Sequence, residues 1–226
     1  MSQNIIYLDN NATTRVDEKV VEAMLPYFTE EYGNPSSIYD LAHVANTAVR
    51  KSREIIKDFL GANDAKEIIF TSCGSESAST AIKGTIELNR AKKHLITTKV
   101  EHPCVLNLHK ELEKQGYKVD YIGVDSNGDL DITELISKVD KDTALVSVMY
   151  ANNETGAIFP VEEIAQKVKE INPETKIFVD AVQAAGKIPI NVKDTKIDFM
   201  GISAHKFHGP KGIGALYVKS GTMVAP

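Results

Sequence analysis

Apolar residues near the start of the chain recur at every third or fourth position, which is the spacing of an amphipathic helix. In residues 16–32 they are Val20, Met24, Tyr27 and Phe28. A second stretch of this kind covers residues 38–60 and stops at Gly61. The pattern predicts two long helices after a short extended segment at residues 5–8.

From residue 68 onward, short apolar runs alternate with amphipathic helical stretches. The runs predict strands at residues 68–71, 95–98, 119–124, 144–150 and 177–180. The helical stretches lie at residues 80–88, 105–114, 132–139 and 161–170. Nearly continuous apolar strands separated by helices are typical of a parallel sheet with helices on both faces. The expected fold class is therefore α/β, with a doubly wound sheet.

The last two apolar runs, at residues 199–203 and 214–218, have no helical stretch between them. Parallel strands need a long crossover, whereas antiparallel strands are joined by a short connection. The pattern predicts a hairpin here, and so one antiparallel strand in a mostly parallel sheet.

Composition and charge exclude several classes of protein. Of the 226 residues, 42% are hydrophobic and 25% are charged, which is typical of a folded globular chain. The 26 Lys and Arg against 31 Asp and Glu give a net charge of −5 with no basic cluster, so we expect no nucleic-acid partner. No run approaches the roughly 18 apolar residues of a membrane helix, and the start resembles no signal peptide. With two cysteines only, we expect no disulfide framework and a cytoplasmic location.

Polar clusters follow five of the predicted strands. They lie at residues 72–77, 101–104, 152–156, 180–183 and 203–206. In open α/β sheets, ligands bind outside the carboxyl ends of the strands. We therefore expect these clusters to meet in one site.

Two of these clusters could hold opposite ends of one ligand. Gly74 and Ser75 lie between a strand and a helix, where free N–H groups bind phosphate, although Ser75 could instead be a simple helix N-cap. Asp180 ends an apolar strand, and a buried carboxylate needs a cationic partner such as a protonated ring nitrogen. An N-cap role is again the alternative, and Gln183 could bind the same ligand or face solvent.

Lys206 lies between His205 and Phe207 after an apolar strand. A lysine amine in an apolar pocket has a lowered pKa and can form a Schiff base, whereas a surface lysine does neither. A phosphate seat, a buried aspartate and such a lysine are together what pyridoxal phosphate enzymes need. His102, before Pro103, suits ring stacking or proton transfer. A metal site built on the histidines is a weaker alternative, because no carboxylate completes a triad, and we expect none.

Seven ordered motifs resemble the cysteine desulfurases, class V members of the pyridoxal phosphate enzymes of fold type I, and are most similar to the nitrogenase-associated branch. They are YLDNNATT (7–14), GNPSS (33–37), FTS (70–72), EHP (101–103), ANNETG (151–156), DAVQ (180–183) and SAHKFHGPKG (203–212). The resemblance implies the large, cofactor-binding domain of that fold.

The resemblance also implies a role for each candidate residue. Lys206 and His102 would be catalytic, Lys206 as the Schiff-base lysine and proton carrier and His102 as a ring-stacking group. Asp180 would pair with the pyridine nitrogen, Gln183 with the phenolic oxygen, and Asn153 would lie beside the ring. The remaining four residues would hold the phosphate: Gly74, Ser75, Ser203 and His205.

The implied activity is removal of sulfur from L-cysteine, giving L-alanine and an enzyme persulfide that supplies an iron–sulfur scaffold protein. A homodimer is implied too. Members of the family are longer, so the persulfide-forming cysteine, the substrate-binding arginine and the small carboxy-terminal domain are expected outside this sequence, with residues 1–15 as an arm and 16–226 as the large domain. A related class V lyase or aminotransferase, or a non-catalytic cofactor-binding fragment, are the alternatives.

Overall fold

Helices and strands alternate along most of the chain, and the computed structural model describes residues 6–225. The helices are α1 (Glu18–Met24), α2 (Pro26–Thr29), α3 (Asp40–Leu60), α4 (Gly74–Leu88), α5 (Pro103–Lys114), α6 (Ile132–Lys138) and α7 (Val161–Ile171). The strands are β1 (Ile68–Thr71), β2 (His94–Thr98), β3 (Lys118–Ile122), β4 (Thr143–Met149), β5 (Lys176–Asp180), β6 (Phe199–Ser203) and β7 (Gly214–Val218). Short 3₁₀ turns lie at Ala65–Glu67 and Ala204–Lys206.

The strands form one mixed sheet in the order β1-β7-β6-β5-β4-β2-β3. The pairings β6–β5, β5–β4, β4–β2 and β2–β3 are parallel, while β7 runs antiparallel to both β6 and β1. The α/β fold class and the hairpin of β6 and β7 are therefore confirmed. Strand β7 inserts between β6 and β1, so that β1 lies at the edge of the sheet.

Both faces of the central strands β2, β4, β5 and β6 are buried, which explains why these strands are largely apolar. Successive side chains of a strand point to opposite faces. Leu145 and Phe178 accordingly belong to the apolar cluster that includes residues of α4 and α5, while their neighbours Val146 and Val179 belong to the cluster that includes residues of α6 and α7. Each central strand thus contributes to two cores, and the ionisable side chains of these strands lie at the strand ends.

The predicted helix at residues 16–32 is wrong as a single element. It is divided at Leu25 into α1 and α2, because Pro26 has no N–H to continue the helical ladder. No residue of either helix is buried, and Phe28 is 68% exposed. Helix α3 follows its prediction closely and ends at Gly61, which has the left-handed conformation of a helix C-terminus.

Helix α4 begins six residues earlier than the apolar pattern predicts, at Gly74. Its first turn is made of small and polar residues, which carry no apolar periodicity. Among residues 6–225, no helix is both long enough and apolar enough to cross a membrane.

Replacing Leu145 by alanine tests the core assignment. Leu145 is fully buried in a central strand, so Leu145→Ala should lower the free energy of unfolding by about 2–5 kcal/mol. Leu88, at the exposed end of α4, is the control, and Leu88→Ala should cost about 0.5 kcal/mol or less. Urea denaturation measures both, and equal losses would contradict the layered core.

Candidate active site

The carboxyl ends of β1, β2, β4, β5 and β6 open into one cavity of about 540 Å³. All five polar clusters that follow strands contribute to its lining. The nine residues singled out from the sequence all line it: Gly74, Ser75, His102, Asn153, Asp180, Gln183, Ser203, His205 and Lys206. The topology thus brings together residues that are up to 132 positions apart, from Gly74 to Lys206.

The N-terminus of α4 forms one wall of the cavity. Cys73 is its N-cap and makes no side-chain capping bond, so the helix does not begin with a serine cap as the alternative had it. The N–H of Glu76 lowers the pKa of the Cys73 thiol by stabilising its negative charge. A Cβ atom on Gly74 would lie 2.6 Å from Cγ2 of Val182, so only glycine fits here without displacing Val182. The N-terminus of α4 therefore favours a bound anion, and the absence of a side chain at Gly74 leaves space for it.

Asp180 lies at the floor of the cavity, at the end of β5, and is 8% exposed. Its Oδ1 accepts a hydrogen bond of 3.0 Å from the N–H of Val182. Burial raises the pKa of Asp180, and this N–H together with the charges of His102 and Lys206 opposes the rise. None of the ion pairs within residues 6–225 includes Asp180. The cavity therefore has a buried carboxyl group without a paired cation.

Lys206 enters the cavity from the 3₁₀ turn after β6. Its Nζ donates hydrogen bonds to the backbone carbonyls of Asn11 and Ala12, the second at 2.9 Å. Gln183 Nε2 donates to the same Asn11 carbonyl at 2.9 Å. Burial lowers the pKa of the Lys206 amine, and the charges of Asp9 and Asp180 oppose the shift. The amine is thus held in place and biased towards its neutral, nucleophilic form.

His205 is tied to the arm that precedes α1. Its backbone carbonyl accepts hydrogen bonds from both the N–H and the hydroxyl of Thr14, and its Nδ1 lies 3.1 Å from the Thr13 hydroxyl. Burial lowers the pKa of His205, and the neighbouring charges of Lys206 and Lys211 add to the effect. The arm therefore fixes the turn that carries His205 and Lys206.

His102 caps α5 through its side chain. Nδ1 accepts a hydrogen bond from the N–H of Cys104 at 3.2 Å and lies 3.0 Å from the Cys104 thiol. Burial raises the pKa of that thiol, so it stays protonated. With Nδ1 engaged as an acceptor, Nε2 is the ring nitrogen that remains available to the cavity. Asn153 also lines the cavity, and its backbone carbonyl accepts a hydrogen bond from the side-chain amide of Asn11.

Sequence reasoning missed two features of this site. The carbonyls of Asn11 and Ala12 are backbone groups, and no side-chain pattern reveals a carbonyl acceptor. Glu101 lies in one of the five clusters but was not singled out, although it is buried beside the cavity floor. Its position directly before His102 was the available signal. No group of three metal-binding side chains occurs in residues 6–225.

Comparison with known proteins places the chain in a family. The model of the family described as aminotransferase class-V matches residues 6–225. A cysteine desulfurase of Nostoc sp. is 54% identical over 224 residues, which is 99% of this chain and 55% of that protein. The cysteine desulfurase NifS of Azotobacter vinelandii is 47% identical over 98% of this chain and 54% of its own length.

Solved structures agree with these matches. A NifS-like protein superposes with a TM-score of 0.95 at 46% identity, covering 98% of this chain and 60% of the other. A structure of SspA in complex with cysteine gives a TM-score of 0.93 at 37% identity, covering 98% of this chain and 64% of the other. The chain spans about half the length of the relatives it matches. Because the family model extends over nearly every residue, the chain belongs to the class-V aminotransferases.

Proposed function

We propose that this chain is the cofactor-binding part of a pyridoxal phosphate-dependent cysteine desulfurase. The observation that carries the proposal is one cavity that combines an anion-favouring helix end, a buried unpaired carboxyl group and a lysine with a lowered pKa. The names of the relatives, which are cysteine desulfurases, support the choice of reaction within the family.

The residues present fit the cofactor at each of its polar groups. The N-terminus of α4 suits a phosphate, since Gly74 leaves space and the first N–H groups point outward. Ser75, Ser203 and His205 also line the cavity. Asp180 has no ion-pair partner within residues 6–225, and a protonated pyridine nitrogen would supply one. The proposal therefore explains a buried carboxyl group that this part of the chain leaves unpaired.

Pyridoxal phosphate, when bound, supplies a ring that accepts electrons from the substrate α-carbon. Lys206 would hold the cofactor covalently and then carry the proton at that carbon, as its lowered pKa suits it to do. Asp180 would keep the ring nitrogen protonated. His102 would stack on the ring and present Nε2 to the substrate, while Gln183 and Asn153 would orient the phenolic oxygen and the substrate.

The substrate we propose is L-cysteine. The structure of the related SspA is described as a complex with cysteine, which supports this choice. In the overall reaction, L-cysteine and a protein thiol give L-alanine and a protein persulfide, so no external oxidant is needed. Neither Cys73 nor Cys104 is proposed as that thiol, because Cys73 lies at the phosphate seat and Cys104 is kept protonated.

Other parts of the prediction concern the protein's surroundings. Five of them stay predictions: a homodimer, a cytoplasmic location, an iron–sulfur scaffold protein as the sulfur acceptor, membership of the nitrogenase-associated branch, and the domain bounds. A class V lyase or aminotransferase would use the same Lys206 and Asp180. Product analysis separates these activities, since only a desulfurase converts L-cysteine to L-alanine.

Reduction with borohydride tests the proposed role of Lys206. Pyridoxal phosphate added to the protein should give a visible absorption band, and reduction followed by peptide mass analysis should place the adduct on Lys206. Lys206→Ala should lose the band and any formation of L-alanine from L-cysteine. Lys211→Ala, an exposed lysine in the same loop, is the control and should keep the band. An adduct on another lysine would refute the role.

Filling the space at Gly74 tests the phosphate seat. Gly74→Ala should push Val182 into the cavity and weaken pyridoxal phosphate binding by about tenfold or more, equivalent to about 1.4 kcal/mol. The double variant Gly74→Ala with Val182→Ala removes the colliding methyl group and should restore much of the affinity. Fluorescence titration measures all three proteins. Unchanged affinity in Gly74→Ala would place the phosphate elsewhere.

Replacing Asp180 tests its pairing with the ring nitrogen. Asp180→Ala should retain some cofactor through Lys206 but slow exchange of the substrate α-proton by about 100-fold or more, because the protonated nitrogen loses its counter-ion. Deuterium uptake into L-alanine in heavy water measures this exchange. Cofactor content, determined in parallel, is the control. Exchange at the normal rate in Asp180→Ala would exclude this pairing.

A further inference from the structure

Glu101 is a buried carboxyl group that the proposed reaction does not use. The residue is 4% exposed, and it lies in the short loop between β2 and α5. Its Oε1 accepts one hydrogen bond from the Thr98 hydroxyl and one from the N–H of Met149, both at 2.8 Å. Because Thr98 ends β2 and Met149 ends β4, this single oxygen ties the two strand ends together.

The second oxygen of Glu101 has no such partner. Oε2 is buried and has no hydrogen bond within the described chain, and no ion pair there includes Glu101. The titratable groups that act on Glu101 or feel its charge are Asp180 of β5 and Cys104 of α5, and both become negative when they ionise. Nothing in these surroundings stabilises a carboxylate at Oε2.

Glu67 shows what a buried ionised glutamate needs in the same protein. It is 3% exposed, comparable to Glu101. Burial acts to raise its pKa, but N–H groups of Ser220, Asp64 and Asn63 bind both of its oxygens and the net pKa is lowered. For Glu101, burial dominates and raises the pKa to about 8, with the charge of Asp180 adding to the rise. The two side chains have similar solvent exposure but opposite pKa shifts, because Glu101 is more strongly desolvated and Glu67 has hydrogen bonds to both of its oxygens.

Glu101 and Asp180 are linked through the sheet. Met149, which donates to Glu101, is the residue registered opposite Asp180 in the pairing of β4 with β5. The next residue, Tyr150, donates its N–H to the Asp180 carbonyl at 2.8 Å. Because both groups become negative when they ionise, the charge of Asp180 raises the pKa of Glu101. A proton on Glu101 removes this repulsion.

We propose that Glu101 is a positioning residue that stays protonated at neutral pH, which leaves Asp180 as the single anion of the cavity floor and keeps His102 and Asp180 at their spacing. The use of that spacing for a cofactor rests on the proposed function. The protonation state of Glu101 and its hydrogen bonds to Thr98 and Met149, which we call the tether, do not rest on the proposed function. Both are therefore tested on the protein without cofactor.

Stability against pH tests the protonation state. The pKa of Glu101 is about 8 in the folded protein and about 4.5 when unfolded, so the neutral acid's contribution is complete below about pH 4.5 and is lost as pH rises to about 8. Glu101→Gln keeps an acceptor for Thr98 and Met149 and never ionises. Its Tm relative to the wild type should therefore rise by roughly 5–10 °C between about pH 5 and about pH 8, and then stay constant.

Glu67→Gln is the matched control. The pKa of Glu67 is lowered, so its contribution is already complete near pH 5 and its Tm difference from the wild type should not change between about pH 5 and about pH 8. If the Tm difference between Glu101→Gln and the wild type is equally independent of pH, the proposal is overturned. A change in both variants would show a general effect of pH and would also count against it.

Nuclear magnetic resonance tests the group directly. The Glu101 side-chain carbon and the Met149 amide proton should titrate together with a midpoint near pH 8, and the Met149 step should vanish in Glu101→Gln. A Glu101 signal that is already ionised at about pH 6 would refute the protonated state. For the tether, His102 ring signals should move in Glu101→Ala and keep their wild-type positions in Glu101→Gln. His102 signals unchanged in Glu101→Ala would refute the positioning role.

Discussion

Both faces of the four central strands are covered by helices, so these strands carry their ionisable side chains only where they begin or end. This constraint explains the composition of the cavity. Leu145 and Phe178 fill one core and their immediate neighbours fill the other, which leaves no interior position for a functional side chain. Asp180 and Lys206 therefore come at or just after the ends of β5 and β6, and the cavity is assembled from segments distant in sequence.

The electrostatics of the cavity follow from the same arrangement. Asp180 lies on its floor and Glu101 is buried beside that floor, and burial raises the pKa values of both carboxyl groups. Its rim holds Lys206 and His205, whose pKa values are both lowered by burial. All four shifts favour the neutral form. A ligand that brings both an anionic group and a cationic nitrogen would supply the charges that this environment lacks.

Much of this arrangement could be predicted from the sequence, and the failures have physical causes. The strands were predictable because burial on both faces makes them continuously apolar, and Lys206 and Asp180 because each directly follows such a run. The sequence pattern did not predict the break between α1 and α2. The spacing of apolar residues shows which face of a helix is apolar, but it does not show that Pro26 interrupts the backbone hydrogen bonds. The carbonyl of Asn11 was missed because every residue has one.

The position of β7 has a consequence for the order in which the protein forms. Within residues 6–225, β1 pairs with β7 alone, and β7 lies nearly 150 residues later in the chain. On the ribosome, the strand that leads into the N-terminus of α4 is therefore made long before its partner emerges. Such a long-range pairing closes slowly because a large loop must be ordered first. The wall of the cavity carried by Gly74 is thus completed late in folding, after the parallel strands have had the chance to pair.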